Sequence, residues 1–286
     1  MKVDILEPSG CCAGVNRAIS MALMARKDNP NLPIYVLGML VHNESVISRL
    51  NELNIITLKD APLLDLLKEI NEGVIIFTAH GHDEKLDEIA KDKGLIIYDT
   101  TCGFVKYNHS LIKDAMKNNH QVIFIGKKGH PETEASLSIS KNVLLYDINT
   151  GLDYKKITDY SPIVICQTTL SIYEVDDIKK DILKHFENAK ITQSICNATT
   201  DRQTALQNIS PSSDLIIIVG SKISSNSSKL FDISKKLYPN KEIIQIKTVN
   251  ELVNSNLSSY KYATIVGGAS TPSDILIEIK KYLETI

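Results

Sequence analysis

The sequence predicts an α/β protein of three similar units with parallel sheets, set about a pseudo-threefold axis around a central site. Three observations predict it. Short apolar, β-branched runs alternate with amphipathic runs from end to end, the pattern of parallel α/β proteins. The apolar runs are continuous rather than alternating, as in strands covered on both faces. Three short motifs also recur, in the same order, with a period of about 90 residues.

The chain opens on an apolar strand at 3–6, and a helix-like run follows at 18–26. Further strands are expected at 34–37, 74–78, 95–98, 121–125, 163–166, 215–219, 243–246 and 263–266. Each is a short aliphatic run bounded by polar or turn residues. Helices are expected at 45–53, 84–93, 105–118, 173–186, 200–209, 228–237 and 273–283. There is no low-complexity segment and no block of like charge. The expected units are 1–101, 102–193 and 194–286.

The first recurring motif is a strand end, a glycine, and a polar side chain four residues later. It gives Gly38 with His42, Gly126 with His130, and Gly220 with Ser224. The second places a hydrogen-bonding residue just past a strand, at His80, Thr169 and Ser270. The third is a cysteine opening a helix-like run, at Cys12, Cys102 and Cys196. Cys12 to Cys102 is 90 residues and Cys102 to Cys196 is 94. Three such units bring strand ends distant in sequence to one place, with three cysteines inside a shell of His, Thr and Ser.

Composition narrows the function classes. The chain has 286 residues, 43% hydrophobic and 23% charged, so core material is ample. A net charge of -2 gives no reason to expect a nucleic-acid partner. No stretch reaches the ~20 apolar residues of a membrane span. The N-terminus carries no signal pattern, which predicts a cytoplasmic protein. Five cysteines, an odd number without a C-x-x-C pair, argue against a disulfide framework and a zinc ribbon.

Three thiolates without a fourth suit either a catalytic zinc or an iron–sulfur cluster. A cubane cluster normally takes four cysteines, so three leave one iron open for a substrate oxygen. The shell residues His42, His80, His130, Ser224, Ser225, Asn226 and Ser270 are donors suited to phosphate oxygens, in loops where helix N-termini also favour anions. The Walker pattern and the dinucleotide glycine fingerprint are both missing. Glu132, presented by Pro131, is the candidate acid, with a carboxyl held protonated. Thr168 and Thr169 are candidates to bind a substrate hydroxyl. Cys166 reads as core, and His82, His109, His120 and His185 as non-catalytic. A non-redox diphosphate-binding protein with inert cysteines remains an alternative.

The motifs Cys12-Ala13-Gly14-Val15-Asn16-Arg17, Val41-His42-Asn43, Ala79-His80-Gly81, Thr101-Cys102, Gly129-His130-Pro131-Glu132, Gln167-Thr168-Thr169, Ser224-Ser225-Asn226-Ser227 and Gly268-Ala269-Ser270-Thr271-Pro272 occur in this order. With them the chain resembles the 4-hydroxy-3-methylbut-2-enyl diphosphate reductases, the last enzymes of the methylerythritol phosphate route to isoprenoids, over essentially its full length. The resemblance implies a trefoil of the three units around a [4Fe–4S] cluster held by Cys12, Cys102 and Cys196. It implies reductive loss of an allylic hydroxyl as water, giving isopentenyl and dimethylallyl diphosphate. Glu132 is then the proton source, with Thr168 beside it and His130 linked to proton delivery. His42, His80, His130, Thr168, Thr169, Ser224, Ser225, Asn226 and Ser270 become the substrate shell. A ferredoxin or flavodoxin is the expected electron donor. The chain departs from the family's usual residues at Cys11, Gly103, Asn197 and Ile223, beside the cluster or a phosphate loop. A paralogue reducing another allylic diphosphate is the neighbouring alternative.

Overall fold

The computed structural model describes residues 1–253 and 255–286. In chain order the elements are β1 (Lys2–Leu6), α1 (Ala13–Asp28), β2 (Ile34–Leu37), α2 (Glu44–Glu52), β3 (Ile55–Leu58), α3 (Leu63–Glu69), β4 (Val74–Phe77), α4 (Lys85–Asp92), β5 (Ile96–Asp99), α5 (Gly103–Lys117), β6 (Val122–Gly126), α6 (Pro131–Ser138), β7 (Val143–Asp147), β8 (Ile163–Cys166), α7 (Ile172–His185), β9 (Lys190–Ile191), α8 (Asn197–Ala205), β10 (Leu215–Val219), α9 (Ser225–Leu237), β11 (Glu242–Ile246), β12 (Tyr262–Gly267) and α10 (Ser273–Glu284).

The strands form three four-stranded sheets, with orders β3-β2-β4-β5, β7-β6-β8-β9 and β11-β10-β12-β1. Every pairing between them is parallel. The predicted α/β class with parallel sheets therefore holds. All three sheets share one plan. The second strand lies outside the first, the third lies on the first's other side, and a fourth forms the far edge.

The expected boundaries need one correction. The strand at the N-terminus does not belong with 34–99. Lys2 to Leu6 pair with Tyr262 to Val266, so β1 is the fourth strand of the last sheet. The pattern of β1 explains this. Only Val3 is deeply buried, as suits an edge strand with one covered face. The terminal amine also donates to the Leu283 carbonyl of α10 at 3.2 Å, which ties the chain start to its end. By contact density there are two compact units. One comprises Met1–Val15, His42–Val46 and Cys196–Ile286; the other comprises Asn16–Val41 and Ile47–Ile195. The first holds the sheet with β1, and the second holds the other two sheets.

The central strands are buried along their whole length, because helices cover both faces. Successive side chains point to opposite faces and feed two cores. In the sheet containing β6, Ile123, Ile125 and Val164 pack with Val175 and Ile182 of α7. Val122, Phe124 and Ile165 pack with Ile112 and Ala115 of α5 on the other face. In the sheet containing β10, Ile217 and Ile265 meet Ile275 and Ile279 of α10. Ile216 and Ile218 meet Leu230 and Ile233 of α9.

Candidate active site

The shared sheet plan gives the recurring motifs fixed places. The glycine series with His42, His130 and Ser224 follows the first strand of each sheet, β2, β6 and β10. His80, Thr169 and Ser270 follow the third strand, β4, β8 and β12. Cys102, Cys196 and Cys12 follow the edge strands β5, β9 and β1. First and third strands lead away to opposite sides of the sheet. Between them lies the switch point where open α/β sheets bind ligands at their carboxyl ends.

In the unit holding two sheets, these ends assemble an acid. His130 caps α6, its Nδ1 accepting from the Glu132 N–H at 3.2 Å, so the neutral ring carries its proton on Nε2. Pro131 at the first helical position fixes the turn. Glu132 is 2% exposed. Its Oε1 accepts from the Thr168 N–H at 2.7 Å and its Oε2 from the Thr168 hydroxyl at 2.8 Å. Burial pushes its pKa up to about 7, against the two Thr168 bonds that favour the carboxylate. The His80 and His130 rings meet edge to face with centroids 5.8 Å apart. Thr169 accepts from the Gln167 amide at 2.9 Å. Ser171, rather than either threonine, caps α7. His82 stacks on Phe77 at 3.6 Å and meets Asp87 at 2.6 Å, a structural place. Cys166 is fully buried and bonded to Ser194, as a core residue should be.

The other unit assembles a set of anion donors. Ser224 caps α9, accepting from the Ser227 N–H, and Ser225 and Asn226 form its first turn. Asn226 Oδ1 accepts from the Ala269 N–H at 2.9 Å, which fixes the turn carrying Ser270. The Ser270 hydroxyl donates to the His42 carbonyl at 3.3 Å. Burial holds the His42 pKa down to about 4, so the imidazole is a neutral donor at physiological pH. The N-terminus of α9 approaches the strand ends closely because glycines let it. A Cβ on Gly268 would sit 2.2 Å from Ser227 Oγ. Gly268→Ala should therefore destabilise the protein by ~1–3 kcal/mol. Adding Ser227→Ala should restore most of that loss, since that hydroxyl is the severe contact and the next, Thr271 Oγ1, is at 3.3 Å; denaturant melts of the single and double variants check this.

The three cysteines occupy equivalent backbone positions. Cys102 and Cys196 are the N-cap residues of α5 and α8, and Cys12 immediately precedes α1. A helix N-terminus stabilises a thiolate. All three are partly buried, and among the described residues no cysteine is in a disulfide. Neither unit alone holds the set: Cys12 and Cys196 are in one, Cys102 in the other. Among the described residues no three His, Cys, Asp or Glu side chains are grouped to hold a metal ion. The donor chemistry nevertheless fits iron–sulfur ligation, three soft thiols on equivalent helix starts. Sequence reasoning missed Thr199, whose hydroxyl lies 3.2 Å from Cys196 Sγ. Its place three residues past a helix-opening cysteine was the available signal.

The sequence profile of the LytB protein family matches residues 3–284. The chain belongs to that family. Its relatives include the 4-hydroxy-3-methylbut-2-enyl diphosphate reductase of Bacillus subtilis (strain 168), 36% identical, over 99% of this chain and 91% of the relative. The enzyme of the same name from Macrococcus caseolyticus (strain JCSC5402) is 35% identical over 99% of this chain and 89% of its own. Among solved structures, the E-1-hydroxy-2-methyl-but-2-enyl-4-diphosphate reductase from Plasmodium falciparum superposes with a TM-score of 0.85 at 30% identity, covering 99% of this chain and 87% of that one.

Proposed function

We propose that this LytB protein reduces 4-hydroxy-3-methylbut-2-enyl diphosphate to isopentenyl and dimethylallyl diphosphate, the terminal step of the non-mevalonate pathway. The observation that carries this reading is the buried Glu132–Thr168 pair, a carboxyl poised near neutral pH at a sheet switch point in a family of reductases. In the reaction one allylic C–O bond breaks and one C–H bond forms. Two electrons and two protons are taken up as water leaves.

Cys12, Cys102 and Cys196 hold a [4Fe–4S] cluster in this reading, which when bound supplies electrons one at a time. The chain's own residues do the rest. Glu132 holds the proton that the leaving hydroxyl needs, and Thr168 keeps both carboxyl oxygens in place. Thr168 and Thr169 bind and orient the substrate hydroxyl. His42, His80, His130, Ser224, Ser225, Asn226 and Ser270 bind the diphosphate by donating hydrogen bonds to its oxygens. Asn226 has a second amide hydrogen to offer beyond the one directed at Thr199. His130, its Nδ1 engaged by the Glu132 N–H, presents Nε2–H and joins proton delivery. No helix among the described residues is long and apolar enough to cross a membrane. The electrons come from a small ferredoxin or flavodoxin.

An anaerobic assay of iron-reconstituted protein with 4-hydroxy-3-methylbut-2-enyl diphosphate and a reduced viologen dye tests this. Dye oxidation should accompany formation of both five-carbon diphosphates. Tight binding of the diphosphate without dye oxidation would favour a non-redox binding protein instead.

A further inference from the structure

The helix that follows each cysteine sends one side chain to the loop that carries the next cysteine. In α1, Arg17 lies five residues past Cys12 and donates Nη1 to the carbonyl of Thr101, the residue before Cys102, at 3.0 Å. In α5, Asn108 lies six residues past Cys102. Its Nδ2 donates to the carbonyl of Ser194, two residues before Cys196, at 3.4 Å, and to that of Cys166 at 3.0 Å. In α8, Arg202 lies six residues past Cys196. Its Nη2 donates to the carbonyl of Gly10, two residues before Cys12, at 2.7 Å, and its Nη1 to that of Ala198 at 3.0 Å. The three ties run in one cyclic order, and each lies inside a single compact unit.

A second path joins the loops of Cys196 and Cys12 in their shared unit. Cys196 Sγ meets the Thr199 hydroxyl at 3.2 Å, and that hydroxyl accepts from Asn226 Nδ2 at 3.5 Å. Asn226 Oδ1 accepts from the Ala269 N–H at 2.9 Å, and the Ala269 carbonyl accepts from the Cys12 N–H at 2.9 Å.

Two of these ties, those of Asn108 and Arg202, are maintained against a penalty. Asn108 is 1% exposed and Arg202 5% exposed. Asn108 Oδ1 and Arg202 Nε are buried without a hydrogen-bond partner. Arg202 has no carboxylate partner among the described residues. A buried guanidinium without a counter-charge is unfavourable unless something anionic lies nearby. Thiolates at Cys196 and Cys12, whose loops Arg202 joins within its own unit, would be anionic when they carry an iron–sulfur core.

We infer that Arg17, Asn108 and Arg202 are positioning residues that set the three cysteine loops for the cluster, and that Arg202 also supplies a buried positive charge favouring its reduced state. This rests on the cluster reading above. Removing the charge destabilises the more negative, reduced form, so the potential falls.

The test compares anaerobically reconstituted wild type, Arg202→Gln, Arg202→Lys and Asn108→Leu, with Arg26→Gln as control. Arg26 also binds loop carbonyls, those of Leu53 and Asn54 among them, but serves no cysteine loop. Iron release to a chelator and the one-electron midpoint potential are measured for each. Arg202→Gln and Asn108→Leu should release iron about tenfold faster than wild type and Arg26→Gln. In Arg202→Gln the reduction equilibrium should shift about tenfold toward the oxidised form, ~59 mV lower. Arg202→Lys should keep a near-wild-type potential. Equal release from all variants, or the same acceleration in Arg26→Gln, overturns the positioning role. An unchanged potential in Arg202→Gln overturns the charge role; so does a tenfold shift in Arg202→Lys, which keeps the charge and loses only the guanidinium's hydrogen bonds, and this second arm stands even if Arg202→Gln does not fold. Wild type that takes up no iron would instead defeat the cluster reading.

Discussion

Replacing Cys12, Cys102 or Cys196 by serine should abolish reductase activity while leaving the fold intact. Serine is nearly isosteric with cysteine, and each side chain is only partly buried, so the substitution opens no large core cavity. Cys102 and Cys196 make no side-chain cap bond to their helices. A hydroxyl there would add a cap rather than remove one. On the proposed cluster, each substitution would replace a soft sulfur ligand by a hydroxyl, a poor substitute at iron. Turnover should fall by on the order of a thousandfold, about 4 kcal/mol in the barrier, in each of the three. Equal severity is the informative part, because two of the cysteines belong to one compact unit and the third to the other. Anaerobic iron content, far-UV circular dichroism and viologen turnover check the three arms. A variant with wild-type iron and turnover would remove that cysteine from the set. Cys11→Ser and Cys166→Ser should keep both iron and turnover.

Glu132→Gln should retain iron and bind substrate while turnover falls by about 10²–10⁴-fold, the usual worth of a positioned acid. The amide can still accept the Thr168 N–H, and its NH₂ can donate to the Thr168 hydroxyl. Geometry is kept and only the transferable proton is lost. The same residue predicts a pH effect on stability. Burial raises the folded pKa from 4.5 to about 7. Below the unfolded value both states hold the proton, and the carboxyl is at its most favourable. As pH rises from there through about 7, the folded state must ionise a buried group, and stability falls. The full difference is on the order of 3 kcal/mol. Glu132→Gln should thus be more stable than wild type at pH 8 and nearly equal to it at pH 4. A pH series of denaturant melts, read beside the turnover data, checks both halves. Wild-type stability that is flat across this range would contradict a buried, raised carboxyl.

Much of this architecture was legible in the sequence because it repeats. Continuous aliphatic runs marked the central strands, and the glycine, His/Thr/Ser and cysteine series marked their ends. What escaped did so for physical reasons. The two-residue β9 is too short to carry a pattern. β3 is an edge strand with partly exposed side chains, and its Ile-Ile-Thr-Leu run alone does not separate strand from helix. α6 shows no amphipathic stripe, since Glu132, Thr133 and Ser136 are buried polar residues on the faces that would normally be apolar. β1 looked like the start of the first unit because sequence order says so. Only its pairing with Tyr262 to Val266 assigns it to the last sheet. At the site, Glu132 and Thr168 were both named from motifs, but their two-point contact joins residues 36 apart and needed the fold. Asn108 and Arg202 were invisible for the same reason: their acceptors are backbone carbonyls, which no residue type announces.

We propose that Cys12, Cys102 and Cys196, with no fourth equivalent, hold an iron–sulfur cluster. The most direct measurement is iron, acid-labile sulfide and zinc per chain in anaerobically purified protein, with electron paramagnetic resonance of the reduced sample. About four iron and four sulfide per chain are expected, with no zinc and a paramagnetic signal that appears on one-electron reduction. Stoichiometric zinc without sulfide, or a colourless protein that takes up no iron, would contradict it.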